Sequence, residues 1–283
     1  MTHIRHSEYC RSLRPVGRCS VNTRKIAVCF FGITRNFSKY TLNSIEQNVF
    51  KQIAYHDTRF RKLAHFNILF PVSNQTYEHP GVAIDPEEFK VLNCDVARHT
   101  YLDELDQKID FTYVKQFGDI WNIELGPLAD HLRSLYSLNA VTELLLREKT
   151  RFDLVIFLRA DLRFNRPLQI PKILPHTLYT PWFDRYSGLN DRFAMGDFET
   201  MILYGQRQKS ILAECENNRW TLSPNHNLLR YARKQGLKVR HLRAIDFSQI
   251  RSNGVVSAID CFRESKLEYY FRSGLEALKL RRF

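Results

Sequence analysis

KIAVCFF, residues 25–31, is a nearly uninterrupted run of apolar, β-branched and aromatic side chains that ends at Gly32. A strand with one solvated face alternates apolar and polar residues, whereas a strand covered on both faces of a parallel sheet does not alternate. The run therefore predicts a central, doubly buried strand. FDLVIFLRADLRF (152–164) reads the same way and gathers charged residues at its end. Between and after these two strands the period changes. Leu42, Ile45, Val49 and Ile53 recur at helical spacing behind Ser38, the expected N-cap. HFNILFP (65–71) is a second expected strand closed by Pro71, residues 72–88 an expected loop, and Phe89–Cys94 a short third strand. LADHLRSLYSLNAVTELLLRE (128–148) carries the broadest apolar helical face in the chain, through Leu128, Leu132, Leu135, Leu144 and Leu145.

The remaining elements follow the same logic. Pro167, Pro171 and Pro175 mark a loop before a strand at Thr177–Trp182, and FDRYSGLNDRF (183–193) is a polar loop. Asp197 can cap a helix running to Tyr204, a further helix fits 208–217, and Pro224 opens one near 225–235 that Gly236 closes. LKVRHLR (237–243) is a late strand. Strands alternating with helices, the strands buried on both sides, predict an α/β sheet with ligands at the C-terminal ends of its strands.

Composition bounds the function classes. With 283 residues, 44% hydrophobic and 25% charged, the chain reads as globular, which excludes disordered, collagen-like and coiled-coil classes. The net charge of +12 favours an anionic partner: nucleic acid, a membrane surface or a phosphorylated small molecule. Cysteines at 10, 19, 29, 94, 215 and 261 form no CxxC pair, so a disulfide framework is not expected and a reducing compartment is. Cys29, inside the first strand, reads as a buried free thiol. The apolar runs at 27–33 and 154–158 are far shorter than the ~20 residues of a spanning helix. Residues 1–24 hold five arginines and one acid without an apolar core, which reads as a basic arm rather than a secretory signal, with an organelle transit peptide as the lesser alternative. Cytoplasmic chemistry is the expectation, and the sequons at Asn36 and Asn74 then carry no meaning.

Two strand ends carry the chemistry. The first reads Gly32-Ile33-Thr34-Arg35, which matches neither GxGxxG nor GxxxxGK[ST], so dinucleotide enzymes and P-loop NTPases are disfavoured. It leaves a glycine that permits close backbone approach and an arginine able to meet a phosphate or a base, or else a turn glycine and a surface arginine. The second reads Arg159-Ala160-Asp161-Leu162, a cation and a carboxylate on one side of a strand among bulky apolar neighbours. Buried charge there must be paired or bound. Either Arg159 and Asp161 form a structural pair, or Asp161 holds a divalent metal with a diphosphate bridging metal and Arg159.

An opening strand ending G-x-x-R, a helix with SLYSLNA, the strand FDLVIFLRADL and then LNDRFAMG occur in that order over roughly residues 25–243. This succession resembles a group of glycosyltransferases with a GT-A-like fold, including WavE-type lipopolysaccharide-synthesis proteins and related plant, protist and viral sequences. The resemblance implies a mixed, mostly parallel sheet flanked by helices over 25–243, with residues 1–24 as an arm and 244–283 as a basic extension packed on the domain. It implies transfer of a sugar from a nucleotide-diphosphate donor, UDP favoured, to a glycan or other hydroxyl acceptor. Asp161 would stand for the metal-binding aspartate of the D-x-D motif, with Mn²⁺ or Mg²⁺ as cofactor. Arg159 replaces the first aspartate of that motif, although R-x-D-L is usual in this subgroup. Gly32, Thr34 and Arg35 would border the nucleotide.

Two residues are candidate bases toward the acceptor, since an inverting transfer needs a positioned group to take the hydroxyl proton. Asp191, in the Leu189–Phe193 loop, is one; an Asx-type turn is its structural alternative. His226, at the start of the helix after Pro224, is the other, where such enzymes often carry an acid. His241 would be a more remote metal ligand. HExxH, GxSxG and Cys–His signatures are absent from the sequence. The rival class is a non-catalytic basic α/β module that binds nucleic acid, to which Tyr269-Tyr270-Phe271 would add base stacking.

Overall fold

The computed structural model describes residues 24–68, 82, 84–118 and 126–257. The basic arm up to residue 23, Pro71, most of the expected 72–88 loop, Asn74 and the Tyr269–Phe271 aromatics lie outside the described residues.

The chain opens with β1 (Ile26–Ile33), followed by a helical segment built of α1 (Phe37–Tyr40), α2 (Leu42–Ile45), a π turn (Glu46–Phe50) and α3 (Lys51–Ala54). Then come β2 (Arg61–Ile68), a 3₁₀ turn (Glu88–Leu92), β3 (Val96–Tyr101), α4 (Leu102–Asp106), α5 (Phe111–Lys115) and α6 (Gly126–Arg147). β4 (Leu154–Arg159), β5 (Leu162–Phe164), β6 (Thr177–Pro181) and β7 (Phe193–Gly196) follow. The described part closes with α7 (Phe198–Gly205), α8 (Gln208–Asn218), α9 (Pro224–Lys234), β8 (Lys238–Leu242) and β9 (Phe247–Gln249).

The result is an α/β fold. Its seven-stranded sheet has the order β3-β2-β1-β4-β7-β6-β8, and β5 pairs with β9 in a separate ribbon. The sheet is mixed and mostly parallel: β7 alone runs against its neighbours, antiparallel to both β4 and β6.

The uninterrupted apolar runs are explained by two cores of opposite parity. Ile26, Val28 and Phe30 of β1, with Leu154, Ile156 and Leu158 of β4, face the 37–54 segment through Ile45, Val49 and Ile53. Ala27, Cys29 and Phe31, with Val155 and Phe157, face α6, α7 and α9 through Leu138, Val141, Leu145, Met201, Tyr204 and Leu228. Period-two alternation thus sorts residues between two helical layers rather than between core and water. Cys29 is buried, and burial pushes its thiol pKa well up, as an inert core thiol requires.

Three local expectations are corrected. Phe89–Cys94 is not a strand: Glu88–Leu92 forms a 3₁₀ turn, and the third strand lies at Val96–Tyr101. Phe89 and Leu92 are both buried while Val91 is half exposed, the i, i+3 pairing of a 3₁₀ turn and not the period of a strand. Ser38 is not the N-cap of the first helix. Asn36 takes that position in the left-handed region, and the backbone N–H groups of Asn36 and Ser38 are bonded by the buried carboxylate of Glu88, at 2.8 and 3.3 Å. Finally, 152–164 is not one strand, because a turn at Ala160-Asp161 separates β4 from β5.

Asp197 caps α7 as read, its carboxylate accepting the Thr200 N–H at 2.8 Å. Among the described residues no helix is long and apolar enough to cross a membrane.

Candidate functional site

In this sheet the ends of β1, β4, β6 and β8 point to one edge, and the first turns of α6 and α9 and the start of antiparallel β7 return to it. This is where an open α/β sheet leaves a crevice for ligands. The centre of the edge is Asp161, in the turn that ends β4. Its Oδ1 accepts Arg159 Nε at 2.9 Å, and its Oδ2 accepts Arg159 Nη2 at 2.5 Å, Arg35 Nη1 at 2.7 Å and Gln249 Nε2 at 3.0 Å. The backbone fixes the same turn: Thr41 Oγ1 donates to the Ala160 carbonyl at 2.5 Å and Ile250 N–H to the Asp161 carbonyl at 2.8 Å. Burial alone would raise the Asp161 pKa, but the Arg159 and Arg35 guanidiniums outweigh it and hold the carboxyl well below the usual carboxylate range.

The cluster extends along α6 to the partly exposed Asp130 and, on α4, Asp106. Arg35 also approaches Asp130 at 3.7 Å, and Arg133 bonds both Asp130 (3.0 Å) and Asp106 (2.5 Å). Gly32, at φ +106°, is the seat of Arg159. A Cβ added there would meet Arg159 Cγ at 3.6 Å, an ordinary contact distance, so it is the positive φ and not a lack of space that favours glycine. Next to it, the hydroxyl of buried Thr34 makes no hydrogen bond among the described residues.

These surroundings do not fit Asp161 as a metal ligand. Oδ2 already accepts three donors, and the two guanidiniums beside it would repel a divalent cation. An ion at Asp161 would have to compete with these donors at a carboxylate that is 1% exposed. As they stand here, the surroundings of Asp161 do not fit the expected Mn²⁺ or Mg²⁺. Of the two readings of the RxD turn, it contains the buried pair. His241 is not arranged as a ligand either. Its Nε2 lies 2.6 Å from Arg185 Nη1, and burial, then the Arg185 charge, lowers its pKa to about 4.

Asp191 and His226 are brought to the same edge. β7 pairs with β4 through Leu158↔Phe193, and Arg159 N–H donates to the Arg192 carbonyl at 3.3 Å, so Asp191 sits beside the end of β4. It is half-buried, and its own carbonyl accepts the Tyr204 hydroxyl at 3.0 Å. His226 lies in the first turn of α9. The loop before Asp191 is pressed onto that turn. Asn225 Nδ2 donates to the Leu189 carbonyl at 2.8 Å, and a Cβ on Gly188 would lie 2.0 Å from the Asn225 carbonyl oxygen. Only glycine fits there.

Sequence reasoning missed Asp130, His131, Arg133 and Gln249. Asp130-His131 stands in the first turns of α6, at the ligand edge, and its one readable signal is a polar pair opening an apolar helix. Burial pushes the His131 pKa down to about 4, with Asp191 pulling it up and Arg207 lowering it further, and its Nε2 has no hydrogen-bond partner among the described residues. Gln249 carries no signal at all. It reaches Asp161 because β9, in the stretch expected as an extension, pairs with β5 through Leu162↔Gln249. No known protein-family model matches this chain, and no curated protein sequence matches it.

Proposed function

We propose that the protein is a glycosyltransferase that moves a sugar from a nucleotide-diphosphate donor, with UDP favoured, to the hydroxyl of a glycan or other acceptor. The observation that carries the reading is the meeting, at one sheet edge, of Thr34 and Arg35 after β1, Arg159 after β4, Asp191 before β7 and His226 at the start of α9. The resemblance implies these groups from separate parts of the sequence, together with a mixed, mostly parallel sheet, and their convergence supports it. In this reading the acceptor oxygen attacks the anomeric carbon, the bond from that carbon to the diphosphate oxygen breaks, and the nucleoside diphosphate leaves. The acceptor proton passes to the Asp191 carboxylate in an inverting transfer. His226 is the poorer base, because the positive end of the α9 dipole opposes imidazolium formation.

A screen of nucleotide sugars by thermal shift tests the class: stabilisation by one donor supports the enzyme, since a ligand that binds only the native state raises its melting point. A broad, steeply salt-dependent response to DNA or RNA would favour the nucleic-acid module instead. With the donor known, Asp191→Asn is expected to cut transfer by roughly 10²–10⁴-fold with donor affinity little changed. A dead His226→Ala variant beside an active Asp191→Asn, or product with retained anomeric configuration, would remove Asp191 from the base role.

A further inference from the structure

We infer that the donor diphosphate is held by Arg159 without a divalent ion, and that Asp161 is a positioning residue, the buried counter-ion that fixes this guanidinium. The inference rests on the glycosyltransferase reading and deepens it.

Arg159 is the cation at the open end of the cluster. Arg133 is balanced by Asp106 and Asp130, and Arg35 by Asp161 and Asp130. The Arg159 side chain is 17% exposed, against 2% for Arg35 and 1% for Asp161. A guanidinium carries five N–H donors in a rigid plane. One on Nε and one on Nη2 go to Asp161, which leaves three without an acceptor among the described residues. One edge of the fork is clamped and the other is free to take a second acceptor, the geometry in which arginine binds phosphate oxygens bidentately. The carboxylate that would hold a metal is spent on holding the arginine. A fixed cation thus takes the place that an ion would have, and the developing charge on the leaving diphosphate meets a preorganised donor set.

The test is calorimetric titration of the full chain with UDP and with inorganic pyrophosphate, each in EDTA and in Mn²⁺. Both should bind in EDTA with a Kd within about twofold of that in Mn²⁺. Arg159→Ala should weaken both by about tenfold or more, and Arg159→Lys, which keeps the charge and loses the fork, should recover only part of that. Asp161 keeps Arg35 and Gln249 in either variant, so both are expected to fold, as circular dichroism melting will verify. Tightening of about tenfold or more by Mn²⁺ overturns the metal-free mode, as does unchanged affinity of Arg159→Ala in EDTA. Absence of binding by both probes under both conditions overturns the glycosyltransferase reading itself, an outcome distinct from metal-dependent binding.

Discussion

The two edges of the central sheet each carry an arginine between two carboxylates, and they differ in one quantity. At the N-terminal edge, Arg61 at the start of β2 bonds Asp95 at 2.7 Å and Glu148 at 3.1 Å, with the arginine 37% and Asp95 34% exposed. At the C-terminal edge, Arg35 and Asp161 are essentially sealed, and only Arg159 and Asp130 at the margins of the group keep partial contact with solvent. The shorter distance is 2.7 Å for both Arg61 and Arg35. Exposure to water differs. Exposed pairs are screened and contribute roughly 0–1 kcal/mol, whereas buried ones must offset a desolvation penalty of several kcal/mol per ion. A fold gains little from burying three charges where apolar side chains would pack as well, which fits the proposal that the open end of the cluster binds an anion.

The largest break in this comparison is Asp161→Ala. It would strand the Arg35 and Arg159 guanidiniums at the buried edge, and removing one partner of a buried ion pair costs about 3–5 kcal/mol. Urea denaturation should show a loss in that range with an unchanged slope. The carboxyl is held below the usual range in the fold, so its contribution is present above the unfolded-state pKa of about 3.9 and is lost as pH falls through the folded value. If Asp161→Ala costs no more than Arg61→Ala, burial is not what separates the two edges.

A second prediction uses His131, which faces Asp191 and Arg207 at the same edge. Its folded pKa of about 4 lies below the unfolded value, so the folded imidazole stays neutral while the unfolded chain takes up a proton. Its contribution is therefore intact above about pH 6.5 and lost on acidification toward 4, on the order of 2–3 kcal/mol. His131→Gln should flatten stability against pH over that window by one group's share, the shifts of His65 and His241 remaining. An unchanged profile would mean that His131 is solvated in the native protein.

Gly32→Ala sharpens the comparison from the backbone side. The added methyl would meet Arg159 Cγ only at ordinary contact distance, so the cost is that of φ +106° for a residue with a Cβ, about 1–2 kcal/mol. Denaturation should give that loss with the Arg159–Asp161 clamp retained. A much larger loss would mean that Arg159 has been pushed off its seat.

How far the sequence could be read follows the same division between backbone pattern and buried charge. Doubly apolar strands such as KIAVCFF and LVIFL announce an α/β sheet because both faces are covered, and Pro224 and Gly236 mark their helix because their dihedral preferences are local. β3 escaped because its residues Ala97, Arg98 and His99 are exposed at the sheet margin, where no apolar period is imposed. The Ser38 cap failed because Glu88, fifty residues away, supplies the acceptor. At the site, Arg159 and Asp161 were legible as a pair two positions apart. That Arg35 and Gln249 also converge on Asp161 was not, since those contacts span 126 and 88 residues and depend on strand register.

The smallest expected effect closes the comparison from its exposed side. Arg61→Ala removes hydrogen bonds to both Asp95 and Glu148, yet all three side chains keep contact with water, so the carboxylates left behind are resolvated rather than stranded. The loss should stay within about 1 kcal/mol. It should also shrink with salt, because the Debye length falls from about 10 Å at 0.1 M to about 3 Å at 1 M. The matching measurement at the buried edge, Arg35→Ala, should cost more and respond little to salt, since the ions cannot enter a cluster whose central carboxylate is sealed. Denaturation of both variants at the two salt concentrations therefore separates screening from burial. Equal salt responses would mean that the C-terminal cluster is open to solvent ions, and the free edge assigned to Arg159 would then be one of several exposed cations.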